Sequence, residues 1–286
     1  MNEDLIEIYK KIKTLGDTFN YEIAQEVYKI YIPILRAVSN ENIEIERDIS
    51  YGPHSRNLFD IHYLNKNLNH KKPAIVYLHG GGFTRGNKNV IKDEPDLIHG
   101  NIANFFAKND LIGINATYRL APENQWPSGA EDVQSLIVFL MQNSDKLGIN
   151  PNKIFVFGQS AGASHVASYL FDKSFNNTEK DNIAGAILFS GAYDLDLIKT
   201  NAVEQYYGKN KNNYYMMSSI NSISTFCCPL FVTTSEFDPP IFKTQSERLI
   251  QKLQENGHQP IFKILHNHNH ISQVIHFNTQ DNSITS

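Results

Sequence analysis

A chain of 286 residues, 41% hydrophobic and 20% charged, can bury a large core and fits a single α/β domain over residues 1–286. Its formal net charge of -4, with no basic cluster, argues against a nucleic-acid partner. Two adjacent cysteines, Cys227 and Cys228, cannot build a disulfide framework, and the acidic start at Met1 to Leu5 lacks an apolar leader. No apolar run reaches bilayer length, so a cytoplasmic protein with no membrane partner is expected.

Apolar residues recur at helical spacing from Leu5 through Ile8, Ile12 and Leu15, and again from Ile23 through Val27, Ile30 and Ile34. Two amphipathic helices are predicted over residues 1–40, either packed on the core or capping the mouth of a site. The period then changes to two at Ile43–Arg47 and Leu58–Leu64, flanking a turn-rich segment at Tyr51–Ser55, which predicts a β-hairpin. Continuous apolar runs follow at 74–78, 111–116, 154–157, 184–189, 230–234 and 260–265, as expected of strands buried on both faces. Helical patterns at 132–140, 163–170 and 244–255 separate several of them, so a mostly parallel sheet covered on both faces is expected. The stretch 193–225 is long and rich in Asn, Tyr and Ser, and it is assigned as an insertion able to complete a lid. Its tyrosines Tyr206, Tyr207, Tyr214 and Tyr215 either line a pocket or simply pack.

The most informative segment is Gly158-Gln159-Ser160-Ala161-Gly162, placed between the strand ending at Phe157 and the helix starting near Ala163. A G-x-S-x-G run on a strand-to-helix turn is a nucleophile elbow. The turn is sharp, and its glycines avoid a Cβ that would strike the neighbouring strand and helix.

A serine hydroxyl at neutral pH needs a base, an acid to orient that base, and donors for the oxyanion. His79-Gly80-Gly81-Gly82-Phe83, directly after the strand 74–78, supplies consecutive glycines whose bare N–H groups can serve as donors. Gly81 and Gly82 are assigned that role, with the amide of Ala161 as the third; a flexible turn or a phosphate loop is the alternative. The acid is expected after the strand 230–234. Asp238 is the candidate there, with Glu236 and the earlier Asp194 as rivals. The base is expected after the last strand, where His266, His268 and His270 alternate. His270 is preferred, then His268, and His276 reads as a surface residue. Alternation on an extended segment puts the three rings on one side, which also suits a metal. With one acid and no cysteine nearby, neither a metal nor a cofactor is expected.

Four segments together resemble the α/β-hydrolase carboxylesterases of the hormone-sensitive-lipase-like kind: His79 to Phe83, Tyr118-Arg119-Leu120-Ala121-Pro122-Glu123, Gly158 to Gly162, and Glu236 to Asp238. The segment from Trp126 and Pro127 to Asp132 is similar too, and the likeness runs from about residue 45 to the end. The resemblance implies an α/β-hydrolase fold with a small helical cap and hydrolysis of short-chain carboxylic esters. It implies Ser160, Asp238 and His270 as the triad and Gly81, Gly82 and Ala161 as the oxyanion hole. The implied partner is a small-molecule ester, and homo-oligomerisation is compatible with the sequence. An amidase of the same fold, similar to arylformamidases, is the nearest alternative. A non-catalytic receptor on a hydrolase scaffold is a further one.

Overall fold

The computed structural model describes residues 3–175, 183–223 and 228–284. Helices α1 (Glu3–Leu15) and α2 (Tyr21–Arg36) lead into the hairpin β1 (Ile43–Ser50) and β2 (Leu58–Leu64). There follow β3 (Lys72–Leu78), α3 (His99–Lys108), β4 (Ile112–Ala116), α4 (Ser128–Gln142), α5 (Ser144–Leu147), β5 (Ile149–Gln159) and α6 (Ala161–Phe171). The rest of the chain comprises β6 (Ile183–Phe189), α7 (Asn201–Tyr207), α8 (Tyr214–Met217), β7 (Leu230–Phe237), α9 (Pro240–Glu255), β8 (Ile261–Asn269) and α10 (Ser272–Ile275). Among the described residues, no helix is long and apolar enough to cross a membrane.

The eight strands form one sheet in the order β1-β2-β4-β3-β5-β6-β7-β8. β2 pairs antiparallel with both β1 and β4, and every later pairing is parallel. The alternation within β3 shows how the sheet is covered. Ala74, Val76 and Leu78 join a core with Val133, Ile137, Val166 and Leu249, which come from α4, α6 and α9. Ile75 and Tyr77 face the other way, onto Ile12, Val27, Tyr31, Ile102 and Val274 from α1, α2, α3 and α10. A strand buried on both faces has no polar side to show, which is why these segments read as continuous apolar runs.

The N-terminal helices therefore pack on the sheet, and their connecting turn also reaches the site described below. Asn20 caps α2, its side-chain oxygen accepting from the Ile23 amide at 2.8 Å. The sequence pattern did not anticipate α3. Its residues His99, Gly100, Asn101 and Asn104 are polar or small yet buried, so no apolar period marks it. The segment 193–225 is described up to residue 223 and contains α7 and α8; residues 224–225 and Cys227 lie outside the described residues.

One buried ion pair fixes the loop that follows the glycine run. Lys88 Nζ lies 2.7 and 2.8 Å from the two carboxylate oxygens of Asp60 on β2, and both residues are shielded from solvent. The Lys88 carbonyl in turn accepts from Asn115 Nδ2 at 2.9 Å. Removing Lys88 leaves the buried Asp60 carboxylate only the Asp48 amide at 2.8 Å and the more distant Arg47 at 3.7 Å. Lys88→Met is expected to lower unfolding free energy by about 3–5 kcal/mol, read as a fall in the urea midpoint at unchanged m-value.

Candidate active site

β5 ends at Gln159, and α6 begins at Ala161. Ser160 sits between them at φ 54° and ψ -119°, a strained conformation for a residue with a side chain. The strain is held from both sides. The Ser160 amide donates to the Phe189 carbonyl at 2.8 Å, and its carbonyl accepts from the Ser164 amide at 3.1 Å. A Cβ on Gly162 would lie 2.1 Å from the Leu78 carbonyl oxygen, and one on Gly158 would lie 2.4 Å from Gly162. The helix thus approaches β3 and β5 too closely for any other residue there.

The structure brings Ser160, His270 and Asp238 together. His270 Nε2 lies 2.9 Å from Ser160 Oγ, and His270 Nδ1 lies 2.6 Å from Asp238 Oδ1. All three side chains are buried. The His270 ring is held between Phe242, at 4.3 Å between centroids, and Phe19, at 4.5 Å, the latter from the turn joining α1 and α2. The Asp238 Oδ2 atom accepts from Ser190 Oγ at 2.5 Å, Thr234 Oγ1 at 2.8 Å and the Ser235 amide at 2.7 Å. Burial pushes the Asp238 carboxyl up, but the neighbouring His270 and these hydrogen bonds hold it below the usual carboxylate range.

The rival acids lie elsewhere. Glu236 Oε2 accepts from the Asn267 amide at 2.8 Å, and Asp194 pairs with Arg248 at 3.0 Å. Of the other histidines, His266 is exposed and lies 3.4 Å from Glu236. The three rings do not share one side, because Asn267 at φ 64° interrupts the extended run. His268 is buried against Asp281 at 3.1 Å rather than facing Ser160. His276 is fully buried, which corrects the surface reading. Burial, with the adjacent His268, pushes its pKa down to about 3.

The glycine loop lies alongside the serine. A Cβ on Gly80 would come within 3.2 Å of Ser160 Cβ, and Gly81, at φ 140°, passes so near the Arg85 carbonyl that a Cβ would be 2.0 Å from it. His79 and Tyr118 hold this loop from behind. Tyr118 donates to the His79 carbonyl at 2.6 Å, their rings stack at 4.5 Å, and His79 Nδ1 lies 2.6 Å from the Gly80 carbonyl. Ser160, Gly80 and Gly81 open onto a cleft of about 400 Å³ whose far wall is Phe19, Asn20, Tyr21, Gln25 and Tyr28. Tyr206, Tyr207 and Tyr214 do not line it. They are buried in a cluster with Phe83, Leu195 and Val203, while Tyr215 is exposed.

Three supporting residues escaped the sequence reading. Gln159 Nε2 and Gln273 Nε2 both donate to the His270 carbonyl, at 2.9 and 3.0 Å, and Ser190 bonds Asp238 as above. Gln159 was visible inside the elbow motif. Nothing local marks Ser190 or Gln273, whose partners lie far along the chain.

A doubly covered, mostly parallel sheet with a serine at a strand-to-helix elbow, an acid after β7 and a histidine after β8 defines an α/β-hydrolase. A truncated carbohydrate esterase from gut microbiota has the same fold, with a TM-score of 0.71 at 16% identity over 85% of this chain and 94% of that one. The chain belongs to the BD-FAE family, which it matches over residues 59–253. It is 26% identical over 236 residues to LipM of Mycobacterium tuberculosis, a probable carboxylic ester hydrolase, covering 75% of this chain and 53% of that one. It is also 23% identical over 260 residues to kynurenine formamidase of Danio rerio, covering 88% and 84%. The chain spans about half the length, or less, of the first curated relatives it matches.

Ser190→Ala removes one hydrogen bond to a buried carboxylate, at an expected cost of about 1.5–3 kcal/mol. A carboxyl whose folded-state pKa is depressed contributes its full stability above its unfolded value, about 3.9, and loses it as pH falls through the folded value. The gap between wild type and Ser190→Ala in urea denaturation is therefore expected to be full at pH 6 and to shrink below pH of about 4.

Proposed function

We propose that this protein is a serine hydrolase that cleaves short-chain carboxylic esters through an acyl-enzyme. The observation that carries the reading is the unbroken chain of contacts from Ser160 Oγ through His270 to Asp238, at the mouth of a cleft. His270 takes the proton of Ser160 as Oγ attacks the carbonyl carbon, and Asp238 holds the ring and stabilises its cation. The N–H groups of Gly81, Gly82 and Ala161 receive the oxyanion. The protonated His270 then gives its proton to the departing alcohol, and water repeats the sequence to release the acid. The helix α6 adds the positive end of its dipole at the same point.

The size of the cleft supports a small substrate, because about 400 Å³ lies at the lower end of small-molecule sites, which run from about 300 to 1,000 Å³. In this reading the helices of residues 1–40 act as a cap as well as packing on the core, since Phe19 touches His270 and Asn20 to Tyr28 form the cleft wall. Small-molecule esters are the substrates this implies. Amide hydrolysis is the second reading, favoured by the near full-length similarity to the Danio rerio kynurenine formamidase. It uses the same three residues, and the balance of rates on p-nitrophenyl acetate and N-formylkynurenine separates the two.

Ser160→Ala is expected to lower kcat on p-nitrophenyl acetate by several orders of magnitude, up to about 10⁶-fold, and to abolish labelling by a fluorophosphonate. Wild-type turnover by the variant would refute the nucleophile. Phe19→Ala opens the wall beside the base. It is expected to reduce kcat/KM by about tenfold while the thermal midpoint moves little, since Phe19 lies in a turn outside the core clusters. Steady-state kinetics beside a melting curve checks it.

A further inference from the structure

Behind the base loop, on the side away from Ser160, lies a second cluster that the mechanism does not use. His268, His276 and Asp281 are all buried, and one ligand atom of each lies within 4.8 Å of the others. The orientation of the rings is fixed from outside the cluster. His276 Nδ1 faces the Ser272 carbonyl at 3.1 Å, and a carbonyl only accepts, so Nδ1 carries the proton and Nε2 keeps its lone pair. His268 Nδ1 faces Ser272 Oγ at 3.1 Å, which leaves its Nε2 turned the same way. The rings lie 4.3 Å apart, and both present Nε2 to Ser283 Oγ, at 3.0 Å from His268 and 3.4 Å from His276.

Asp281 completes the group. Its Oδ1 accepts from the Ser283 amide at 2.9 Å. Its Oδ2 is buried 3.1 Å from His268 Nε2, and the Tyr9 hydroxyl also hydrogen-bonds the carboxylate. The carboxylate and the His268 nitrogen thus stand at ion-pair distance, with the His276 ligand atom within 4.8 Å of both. A tetrahedral zinc ion with bonds of about 2.0–2.1 Å holds its ligands about 3.3 Å apart. Three of the six separations among His268 Nε2, His276 Nε2, Asp281 Oδ2 and Ser283 Oγ lie near that edge: His268–Ser283 at 3.0 Å, His268–Asp281 at 3.1 Å and His276–Ser283 at 3.4 Å. The His268, His276 and Asp281 ligand atoms all lie within 4.8 Å of one another. Two imidazoles and a carboxylate select a borderline cation such as zinc over magnesium or calcium, which prefer oxygen ligands. Ser272, engaging the far nitrogen of both rings, is the outer partner that such histidines normally have.

We propose that His268, His276 and Asp281, with Ser283 or water as the fourth ligand, form a zinc-binding site distinct from the Ser160 centre. The ion clips the C-terminal segment to the end of β8, two residues from His270, and neutralises the Asp281 carboxylate. Of the alternating tract, only His268 takes part; the other two ligands come from farther along the chain.

The test titrates metal-stripped full-length protein with zinc chloride by calorimetry and repeats the titration with Co²⁺ in the visible range. The expected result is one zinc per chain, a rise in thermal midpoint of several degrees on saturation, and the intense absorption of tetrahedral Co²⁺. Asp281→Asn and His276→Ala are expected to weaken zinc binding by at least about tenfold, Ser272→Ala by about 10–100-fold, while Ser160→Ala binds as wild type. Zinc binding unchanged in Asp281→Asn and His276→Ala overturns the proposal, as does wild-type protein that binds no zinc. If the ligand variants do not fold, the Co²⁺ spectrum of the wild type decides: an octahedral spectrum, or none, overturns the site.

Discussion

The close approach of α6 to β3 and β5 is the constraint on which the rest of the site depends. Gly162 lies against the Leu78 carbonyl and Gly158 against Gly162, so the chain must turn within a single residue at Ser160. Packing interiors to crystal-like density leaves no slack to relax that turn. The cost of the positive φ at Ser160 is met by its two backbone hydrogen bonds and by the core that buries α6 along its whole length. Because Leu78 is also the last residue of β3, the same contact sets the glycine loop beside the serine.

His270, the proposed base, is positioned by a different principle. His270 lies just past β8, and a ring there has many rotamers open to it unless its surroundings remove them. Phe19 and Phe242 flank the ring, Asp238 fixes Nδ1, and Gln159 and Gln273 hold its carbonyl. These five contacts come from the α1–α2 turn, α9, the β7 loop, the elbow and α10. The ring is thus registered against both layers of the molecule at once, which suits a group that must move a proton over a fixed distance.

The sheet was legible in the sequence because strands buried on both faces leave uninterrupted apolar runs, and the elbow because G-x-S-x-G is a local backbone requirement. Asp238 and His270 were legible as the preferred candidates through their order after strands, with Glu236 and His268 left as rivals. Separating them took tertiary geometry: the positive φ at Asn267 turns His266 outward, and the tail bearing Asp281 engages His268. The same tail buries His276, which looked like surface because nothing in its immediate neighbours says that residues 276–283 fold back. Helix α3 was missed because its buried residues mix Ile102, Ala103 and Ala107 with histidine, glycine and asparagine, two of which bond distant partners, Asn101 to the Phe277 carbonyl and Asn104 to His62.

The separation of the three residues along the chain has a consequence of its own. Ser160 and His270 are 110 positions apart, and His270 contacts Asp238 across 32. If the proposed triad acts, no fragment ending before β8 holds its histidine, so such a truncated chain lacks the group that would activate Ser160. Under the proposed function, reactivity of Ser160 toward an electrophile would therefore report completion of the whole sheet, from the N-terminal turn that supplies Phe19 to the last strand. The site is in this sense a built-in gauge of folding, readable in a mixture of folded and unfolded molecules by counting which of them react.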